Sequence, residues 1–273
     1  MRMVLPLVLL LGCPSPEDDK PVDTDGDGLF DGQEADLGTD PGSEDSDLDG
    51  LHDGEEVDLG TDPLAEDTDE DGYWDAWEIT EETDPTDADS VIYEGGWPYN
   101  PNKDALEDPG FGGTAGEGEM LPRFVYVDQF GQEVDIYDFA GQGKPVVIDL
   151  SGVWCYWCNE LAKLAEGKRS ALAGYGFDDL DALIESEQFY FVTVLDADVS
   201  GRKIDEAEIV EWYEEYPNPY IPVLADKQQE LAGWIQPYGY PTLLMVDENM
   251  EVTVFDNQDY TAVLTSIVDE FGE

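Results

Sequence analysis

The sequence predicts an α/β domain over residues 121–273, preceded by an irregular segment of repeated acidic loops. Two observations lead to this prediction. In the second half of the chain, short runs rich in Val, Ile, Leu and Phe alternate with helical patterns, which is typical of strands joined by helical crossovers. In the first half, one acidic motif begins at residues 23, 45 and 67, a strict period of 22 residues.

The chain is strongly acidic. Its 67 Asp and Glu residues against 11 Lys and Arg residues give a formal net charge of −56, and the acidic residues are densest before about residue 90. This charge argues against nucleic acid as a partner and favours solubility, but it does not dictate a fold.

The first residues predict export from the cytoplasm. MRMVLPLVLLLG at 1–12 is too short for a bilayer span, which takes about 20 residues, and is typical of a signal-peptide core. Leu10-Leu11-Gly12-Cys13 resembles the lipobox of bacterial lipoproteins, which implies an acylated Cys13 followed by a tether over 13–22. The alternative is an ordinary signal cleaved nearby. We expect an extracytoplasmic protein, lipid-anchored to a bacterial membrane (the outer one favoured), where disulfides persist.

The acidic segment repeats a calcium-loop pattern. Its copies are DTDGDGLFDGQE at 23–34, DSDLDGLHDGEE at 45–56 and DTDEDGYWDAWE at 67–78. Each copy has Asp at loop positions 1, 3, 5 and 9, Gly at position 6 and Glu at position 12, a spacing that lets carboxylates wrap a calcium ion. The candidate calcium ligands are Asp23, Asp25, Asp27, Asp31, Glu34, Asp45, Asp47, Asp49, Asp53, Glu56, Asp67, Asp69, Asp71, Asp75 and Glu78.

The segments between these loops are too short for the helix pairs of EF-hands, and each contains Thr-Asp-Pro. Residues 23–89 instead resemble thrombospondin type 3 repeats and similar calcium-binding stalks of bacterial surface proteins. This resemblance implies structural calcium as a cofactor. The alternative is a disordered acidic spacer. We assign the repeats to 23–90 and a Gly- and Pro-rich linker to 91–120.

The third copy departs from the other two. Ala76 replaces Gly at position 10, Glu81-Glu82 replaces Leu-Gly, and Tyr73, Trp74 and Trp77 add aromatic side chains. Terminal repeats are commonly atypical, so we interpret this copy as a cap.

The predicted elements of residues 121–273 alternate along the chain. Strands are predicted at 124–127, 145–150, 189–197, 221–226, 241–247 and 252–256, and helices at 158–166, 178–187, 206–216 and 260–272. This order favours a sheet with parallel crossovers, and the length suits one globular domain.

VWCYWCNELAK at 153–163 places Cys155 and Cys158 just after a predicted strand, at the start of a predicted helix. Cys-x-x-Cys alone fits a redox couple, half a metal site or a structural staple. The chain has three cysteines and one histidine, and Cys13 and His52 lie in other parts of the sequence, so a zinc site lacks ligands. Because the one histidine of the chain lies in the acidic repeats, the sequence also argues against a protease-type Cys-His nucleophile.

Residues 121–273 resemble the thioredoxin superfamily, in particular its extracytoplasmic TlpA/ResA-like and redoxin branch. The resemblance is carried by PRFVYVDQFGQEVDIYDFAGQGKPVVIDL at 122–150, by Trp154 directly before Cys155, by Asp149, and by Tyr240-Pro241-Thr242 opening a strand. Two features depart from the family: the Tyr156-Trp157 dipeptide between the cysteines, and Ser151 where thioredoxin has an aromatic residue.

The resemblance implies a thioredoxin fold and a catalytic role for five residues. Cys155 would be the attacking nucleophile and Cys158 the resolving thiol, with Pro241 in a cis peptide beside them. Asp149 would either accept the proton of Cys158 or be a solvated carboxylate at a strand end. Trp154 would line a substrate surface or simply pack. No cofactor is expected for the redox chemistry.

We therefore expect a lipid-anchored thiol–disulfide oxidoreductase on a calcium-binding stalk. Its partners would be protein thiols and disulfides of the cell envelope, together with a membrane or soluble redox partner. Two alternatives stay open: a non-catalytic calcium-binding surface or adhesion protein with an inert disulfide, and a peroxide-reducing redoxin. The peroxidatic motif usual in redoxins is not visible in the sequence.

Overall fold

The computed structural model describes residues 21–88, 90–197, 200 and 202–272. The predicted signal peptide and Cys13 lie outside the described residues. The chain divides into two compact units between residues 89 and 90, and each is described separately below. None of the described helices is both long and apolar enough to cross a membrane.

The first unit contains one seven-residue helix in each repeat: α1 (Asp31–Leu37), α2 (Asp53–Leu59) and α3 (Asp75–Glu81). The sequence predicted an irregular segment without helices here, and the structure differs from that prediction by these three short helices. Each begins at loop position 9, where an acidic residue interacts favourably with the helix N-terminus. Each ends at a residue in the left-handed region, and the proline of Thr-Asp-Pro follows shortly after, so none of them grows longer.

The second unit is built on a five-stranded sheet. Its strands are β3 (Val146–Gly152), β4 (Tyr190–Ala197), β5 (Val223–Ala225), β6 (Thr242–Val246) and β7 (Val252–Phe255). They lie in the order β5-β4-β3-β6-β7, and β1 (Val125–Val127) pairs with β2 (Glu133–Asp135) in a separate hairpin. The β3–β4 and β4–β5 pairs are parallel, whereas β6 and β7 are antiparallel to their neighbours, so the sheet is mixed.

Five helices follow in chain order: α4 (Tyr156–Ala165), α5 (Leu180–Glu185), α6 (Glu206–Glu215), α7 (Glu230–Ile235) and α8 (Thr261–Phe271). The short α7 is absent from the sequence-based prediction. Short 3-10 helices lie at Lys103–Ala105 and Ile136–Phe139. The predicted α/β thioredoxin-type fold is confirmed by this mixed sheet, with the cysteine-bearing helix directly after its central strand.

Alternate residues of β3 enter different apolar clusters, which places one cluster on each side of the sheet. Val146, Ile148 and Leu150 belong to the cluster shared with the β1–β2 hairpin, while Val147 belongs to the cluster formed with α4, α5 and α8. All seven residues of β3 are buried. The central strand, and the cysteine pair that follows it, are therefore fixed by packing on both faces.

The Gly- and Pro-rich segment 91–120 belongs to the second unit, although the sequence predicted a linker there. Tyr93 and Trp97 are buried in the cluster that holds the hairpin. The Tyr93 hydroxyl donates to Asp138 at 2.7 Å, and the Trp97 indole donates to Asp128 at 2.9 Å. Composition alone misjudges this segment because a few aromatic anchors outweigh its many Gly and Pro residues.

Candidate functional sites

The chain turns from β3 into α4 at the cysteine pair. Cys155 is the N-cap residue of α4, and its sulfur accepts the backbone N–H of Cys158 at 3.1 Å. The two cysteines form a disulfide with their Cα atoms 5.2 Å apart. Cys158 is fully buried, whereas Cys155 retains a small exposed area. Free N–H groups at a helix start stabilise negative charge, so this position favours a thiolate at Cys155 after reduction.

The loop before β6 packs against the same sulfur. The Tyr240–Pro241 peptide bond is cis, as the sequence predicted, and the Tyr240 carbonyl oxygen lies 3.2 Å from the Cys155 sulfur. The Tyr240 ring makes an edge contact with the Trp154 ring, their centroids 5.6 Å apart. The structure therefore brings Trp154, Cys155 and Pro241 together at one place.

Three aromatic side chains surround the pair and face solvent. Trp154 is 49% exposed, Tyr156 61% and Trp157 43%, and we call these three residues the aromatic rim. Tyr156 and Trp157 contact each other edge to face, with centroids 5.1 Å apart. The Trp154 indole lies over Gly152, where a Cβ atom would come within 2.9 Å of the indole nitrogen. Any larger residue at this position would displace the indole.

Asp149 is buried in the middle of β3, not solvated at a strand end. Ser151 donates to one of its carboxylate oxygens at 2.7 Å and Thr193 lies 3.4 Å from the other. Burial raises the pKa of Asp149 to about 7, and the two hydrogen bonds oppose this shift. A small cavity connects the carboxylate with Leu161 and with the neighbouring face of α4. A carboxyl group in this state can exchange a proton near neutral pH.

Sequence reasoning missed a hydrogen-bond network behind the cysteines. The Asn159 side-chain amide donates to the carbonyl oxygens of Cys155 at 2.6 Å and of Val153 at 3.2 Å. The Tyr216 hydroxyl, from the end of α6, donates to the Asn159 side-chain oxygen at 2.7 Å. This network fixes the backbone of the cysteine turn. No local motif marks Asn159, because the hydroxyl group that orients its side chain belongs to Tyr216, 57 residues away in the sequence.

A second missed residue is Asp196, at the end of β4. Its carboxylate accepts the Tyr240 hydroxyl at 2.5 Å, and its other oxygen has no partner among the described residues. Burial raises the pKa of Asp196 and also that of the Tyr240 hydroxyl. The sequence offered one signal: an acidic residue ending a predicted central strand next to the cysteine-bearing strand.

In the first unit, the aspartates at loop positions 1, 3 and 5 converge. Their carboxylate oxygens lie within 4.8 Å of one another in each loop, and a fourth group joins two repeats. The four groups are Asp23, Asp25 and Asp27; Asp45, Asp47 and Asp49; Asp67, Asp69 and Asp71; and Asp27, Glu34 and Asp53.

Several of these oxygens are buried without a hydrogen-bond partner among the described residues, always at loop positions 3 and 12. They belong to Asp25, Asp47, Asp69, Glu34, Glu56 and Glu78. Burial and the neighbouring carboxylates raise the pKa of Glu56 to about 8 and that of Glu78 to about 7. Orphaned buried oxygens in a cluster of carboxylates fit a hard divalent cation with oxygen ligands, such as calcium.

The aspartate at position 9 has a different environment from the others. Asp53 accepts both the backbone N–H and the hydroxyl of Ser46 at 2.7 Å. Asp31 and Asp75 make the same pair of bonds to Thr24 and Thr68. The position-9 side chain therefore closes its own loop through the Ser or Thr at position 2, and direct metal coordination by it stays a prediction.

Adjacent repeats are joined by the aspartate at position 5. The Gly54 N–H donates to Asp27 at 3.1 Å, and the Ala76 N–H donates to Asp49 at 2.9 Å. In both cases the first turn of one repeat's helix lies on the preceding loop. The three loops thus form a regular stack instead of three independent sites.

Comparison with known proteins identifies these repeats. Residues 23–41, 45–65 and 67–88 each match the family model described as the bacterial TSP3 repeat. The predicted thrombospondin type 3-like repeats are thereby confirmed. An uncharacterized protein of Haemophilus influenzae is 34% identical to this chain over 113 residues. The match covers 41% of this chain and 62% of that relative.

Similar solved structures include a thioredoxin-like protein from Bacteroides caccae (13% identity, TM-score 0.41), covering 56% of this chain and 50% of that one. A second is the thioredoxin domain of a thiol-disulfide oxidoreductase from Bacteroides vulgatus (19% identity, TM-score 0.39). The match covers 56% of this chain and 99% of that domain. A third is a thiol:disulfide interchange protein from Bacteroides sp. (17% identity, TM-score 0.40). The match covers 58% of this chain and 91% of that protein. The assignment of the second unit as a thioredoxin-like domain rests on its sheet order and on the position of the cysteine pair.

Proposed function

We propose that this protein is an extracytoplasmic thiol–disulfide oxidoreductase that uses the Cys155–Cys158 pair and is carried on calcium-binding repeats. The observation that carries the proposal is the disulfide at the start of α4. Cys155 accepts a backbone N–H there, borders an exposed aromatic rim, and shields a fully buried Cys158. A disulfide that served only as a staple would need none of these surroundings.

In the reaction, the Cys155 thiolate attacks one sulfur of a partner's disulfide. A mixed disulfide forms between Cys155 and the partner, and the partner's other sulfur leaves as a thiolate that takes up a proton. The Cys158 thiol then loses its proton and attacks the Cys155 sulfur, which releases the second partner thiol. Two electrons have passed to the partner, and Cys155–Cys158 is oxidised. A second dithiol protein reverses these steps to restore the reduced pair.

The surrounding residues support each step. We assign Asp149 as the group that takes the proton of Cys158, because its pKa of about 7 suits proton exchange near neutrality. Pro241 and the Tyr240 carbonyl form the wall against which the partner's sulfur approaches Cys155. Trp154 forms part of the surface that the partner contacts.

We further propose that the repeats bind calcium structurally. The carboxylates at positions 1, 3, 5 and 12 would hold the ions, with the orphaned oxygens of positions 3 and 12 as the best-placed ligands. Bound calcium would neutralise charge that otherwise opposes the stacking of the loops. None of the proposed redox residues lies in the repeats, so the redox chemistry does not require the metal.

The location outside the cytoplasm is part of the proposal. It is supported by the signal-like residues 1–12 and the lipobox-like sequence ending at Cys13. A Cys13→Ser variant expressed in bacteria with a palmitate label tests it. Loss of the label and release from the membrane fraction are expected, while retention of both would contradict lipidation at this residue.

The redox function is tested with the reduced full chain and insulin as a disulfide substrate. We expect catalysed insulin reduction in the presence of dithiothreitol, abolished in Cys155→Ser. Cys158→Ser should accumulate mixed disulfides with the substrate, whereas Cys155→Ser should not. Reduction no faster than with dithiothreitol alone, with both thiols shown to be alkylatable, would contradict the proposal and favour an inert disulfide.

A further inference from the structure

We propose that the natural substrates of the redox site are disulfides held in positively charged polypeptide segments, and not small anionic disulfides such as glutathione disulfide. This inference rests on the proposed function and adds its substrate class. It is carried by two independent observations: the aromatic rim around the cysteines, and the one-sided charge of the helix that packs beside them.

The aromatic rim is held in place before any partner arrives. Trp154 is fixed between Gly152 and the Tyr240 ring, and Tyr156 and Trp157 support each other. Exposed aromatic faces attract ammonium and guanidinium groups through the ring quadrupole. They also bury the aliphatic stems of Lys and Arg side chains. The rim therefore suits a polypeptide with cationic side chains close to its disulfide.

Ile209 and Trp212 of α6 belong to the same buried apolar cluster as both cysteines. Its ten residues include five glutamates and no Lys or Arg: Glu206, Glu208, Glu211, Glu214 and Glu215. Of these, Glu206 is paired with Lys227. An approaching partner therefore meets a negative surface on this side of the redox pair.

Nearby cations offset only part of this charge: Arg202 and Lys203 precede α6, and the Lys168 ammonium donates to the Glu215 carbonyl oxygen at 3.1 Å. Lys163, on α4, is held by Glu160 at 2.8 Å, and Lys168 is held by Glu166 at 2.6 Å. The Glu215 carboxylate lies 2.9 Å from the hydroxyl of Tyr216, which belongs to the hydrogen-bond network that fixes the cysteine turn. Opposite charge on a partner speeds the encounter, by about 10-fold to 1,000-fold for strongly complementary surfaces at low salt. A disulfide that carries carboxylates is repelled by the same field.

The test uses the reduced full chain and three disulfide-bridged peptides of equal length and cysteine spacing, carrying four Lys, four Gln or four Glu residues. Second-order rate constants for disulfide reduction are measured at about 10 mM and about 1 M salt, where the screening length falls from about 30 Å to about 3 Å. We expect the Lys peptide to react at least about tenfold faster than the Glu peptide at low salt. The difference should shrink to less than about twofold at high salt.

Two variant pairs locate the effect. Trp157→Ala should slow the Lys peptide about threefold or more through loss of cation–π contact, whereas Tyr175→Ala, an aromatic residue elsewhere that is even more exposed (70% against 43%), should not. The double variant Glu211→Gln/Glu214→Gln should lower the Lys-to-Glu preference by about twofold or more at low salt. Glu248→Gln/Glu251→Gln, beyond the opposite end of β6 from Pro241, removes the same charge from a more distant position and should lower the preference clearly less than the α6 pair does.

Equal rates for the three peptides at both salt concentrations would overturn the substrate class and leave the oxidoreductase proposal intact. Equal effects of the two glutamate pairs would overturn the assignment to α6. If no peptide is reduced, the proposed function itself fails, and this inference fails with it.

Discussion

Both units of this protein bury carboxylates, but they stabilise them in different ways. In the second unit, Asp138 is fully buried and is bound by the Lys103 ammonium, the Tyr93 hydroxyl and the Asn100 N–H. In the first unit, Glu34 is equally buried, yet neither of its carboxylate oxygens has a partner among the described residues. Burial of an ionised group is unfavourable unless donors or cations compensate it. The comparison indicates that the missing positive charge of the repeats comes from outside the chain.

The two units also differ in what else holds them together. The buried apolar side chains within residues 21–88 are Leu29, Pro63 and Pro85, whereas the second unit contains three clusters of buried apolar residues. Hydrophobic burial is therefore a minor term in the repeats and the main term in the redox domain. The repeats depend on loop hydrogen bonds, which leaves the net repulsion of their carboxylates without an apolar core to oppose it.

The largest expected effect of this difference follows from calcium removal. Because metal-binding free energy becomes folding free energy in such loops, a chelator should expose residues 21–88 of the full chain to protease while residues 90–272 stay resistant. Asp25→Asn should weaken calcium binding about tenfold or more, because it alters one of the orphaned ligands. Asp36→Asn, an exposed residue of the same repeat, is the matched control. Limited proteolysis with mass spectrometry and calcium titration measure both.

Identical cleavage patterns with calcium and with chelator would contradict this view and leave an acidic spacer as the better description. Magnesium should replace calcium poorly, because it requires a tighter octahedron and dehydrates reluctantly. Insulin reduction should change less than about twofold in chelator, since the proposed redox residues lie in the unit held by apolar packing. A loss of activity in parallel with the loss of metal would break the comparison between the units.

Asp149 supplies the next effect, because its burial resembles that of the repeat carboxylates while no cation lines its cavity among the described residues. Its pKa is raised to about 7 from 3.8. The folded state therefore keeps its proton between about pH 4 and 7, where the unfolded state has lost it. The contribution of Asp149 to the free energy of unfolding is therefore fully present below about pH 4. It is lost as the pH rises to 7, which lowers the free energy of unfolding by up to about 4 kcal/mol.

Asp149→Asn should remove this pH dependence. The variant should match or fall below the parent at pH 4 and exceed its stability at pH 8, while the mixed disulfide with substrate resolves more slowly. Urea unfolding of the redox domain at both pH values measures the stability, with Glu185→Gln, an exposed residue of α5, as control. The same stability difference at pH 4 and pH 8 would show that Asp149 does not titrate in this range.

Asp138 and Glu56 test the two kinds of buried carboxylate directly. Asp138→Asn should destabilise the second unit by about 3 kcal/mol, with or without calcium, because it leaves Lys103 unpaired. Glu56→Gln should stabilise the repeats in chelator near pH 7, because folding without metal requires Glu56, whose pKa is raised to about 8, to take up a proton, and it should weaken calcium binding. Thermal unfolding of the full chain with and without calcium separates the two. Destabilisation by Glu56→Gln in chelator would contradict this proton uptake.

Sequence patterns predicted the features that depend on local chemistry. The loop spacing predicted the repeats, and Cys155-x-x-Cys158 with Tyr240-Pro241 predicted the thioredoxin-like domain. Patterns failed where distant residues decide the outcome. The Gly- and Pro-rich segment 91–120 packs on the domain through Tyr93 and Trp97, and Asn159 becomes important only because α6 brings Tyr216 to it.

The position-9 aspartates show the same limit within one loop. Asp31 fits the calcium pattern by spacing, but its carboxylate bonds the N–H and hydroxyl of Thr24. The recurring Ser or Thr at position 2 was visible in all three copies, and a reading based only on carboxylates passes over it. A repeated sequence therefore indicates the residues that hold a loop closed as well as the candidate metal ligands, provided that every recurring position is considered.

The smallest effect concerns the end of the third helix, where the repeats can be compared with one another. The residue after the helix adopts a left-handed conformation in every copy: Gly38 has φ of 98°, Gly60 of 94° and Glu82 of 62°. Only the third copy uses a residue with a Cβ there, and a left-handed conformation costs such a residue about 1 kcal/mol relative to Gly.

Glu82→Gly should therefore stabilise the calcium-bound repeats by about 0.5 to 1 kcal/mol, because the strain in the folded state outweighs the added freedom of the unfolded chain. Gly60→Ala in the second copy should destabilise them by a similar amount, and Glu81→Gly, inside α3, should also destabilise. Hydrogen exchange of the repeat amides in calcium resolves changes of this size, and slower exchange in Glu82→Gly than in the parent is the expected result. Unchanged or faster exchange would mean that the Glu82 side chain makes a stabilising contribution that Gly lacks, and the third repeat would then differ from the first two by more than a strained helix end.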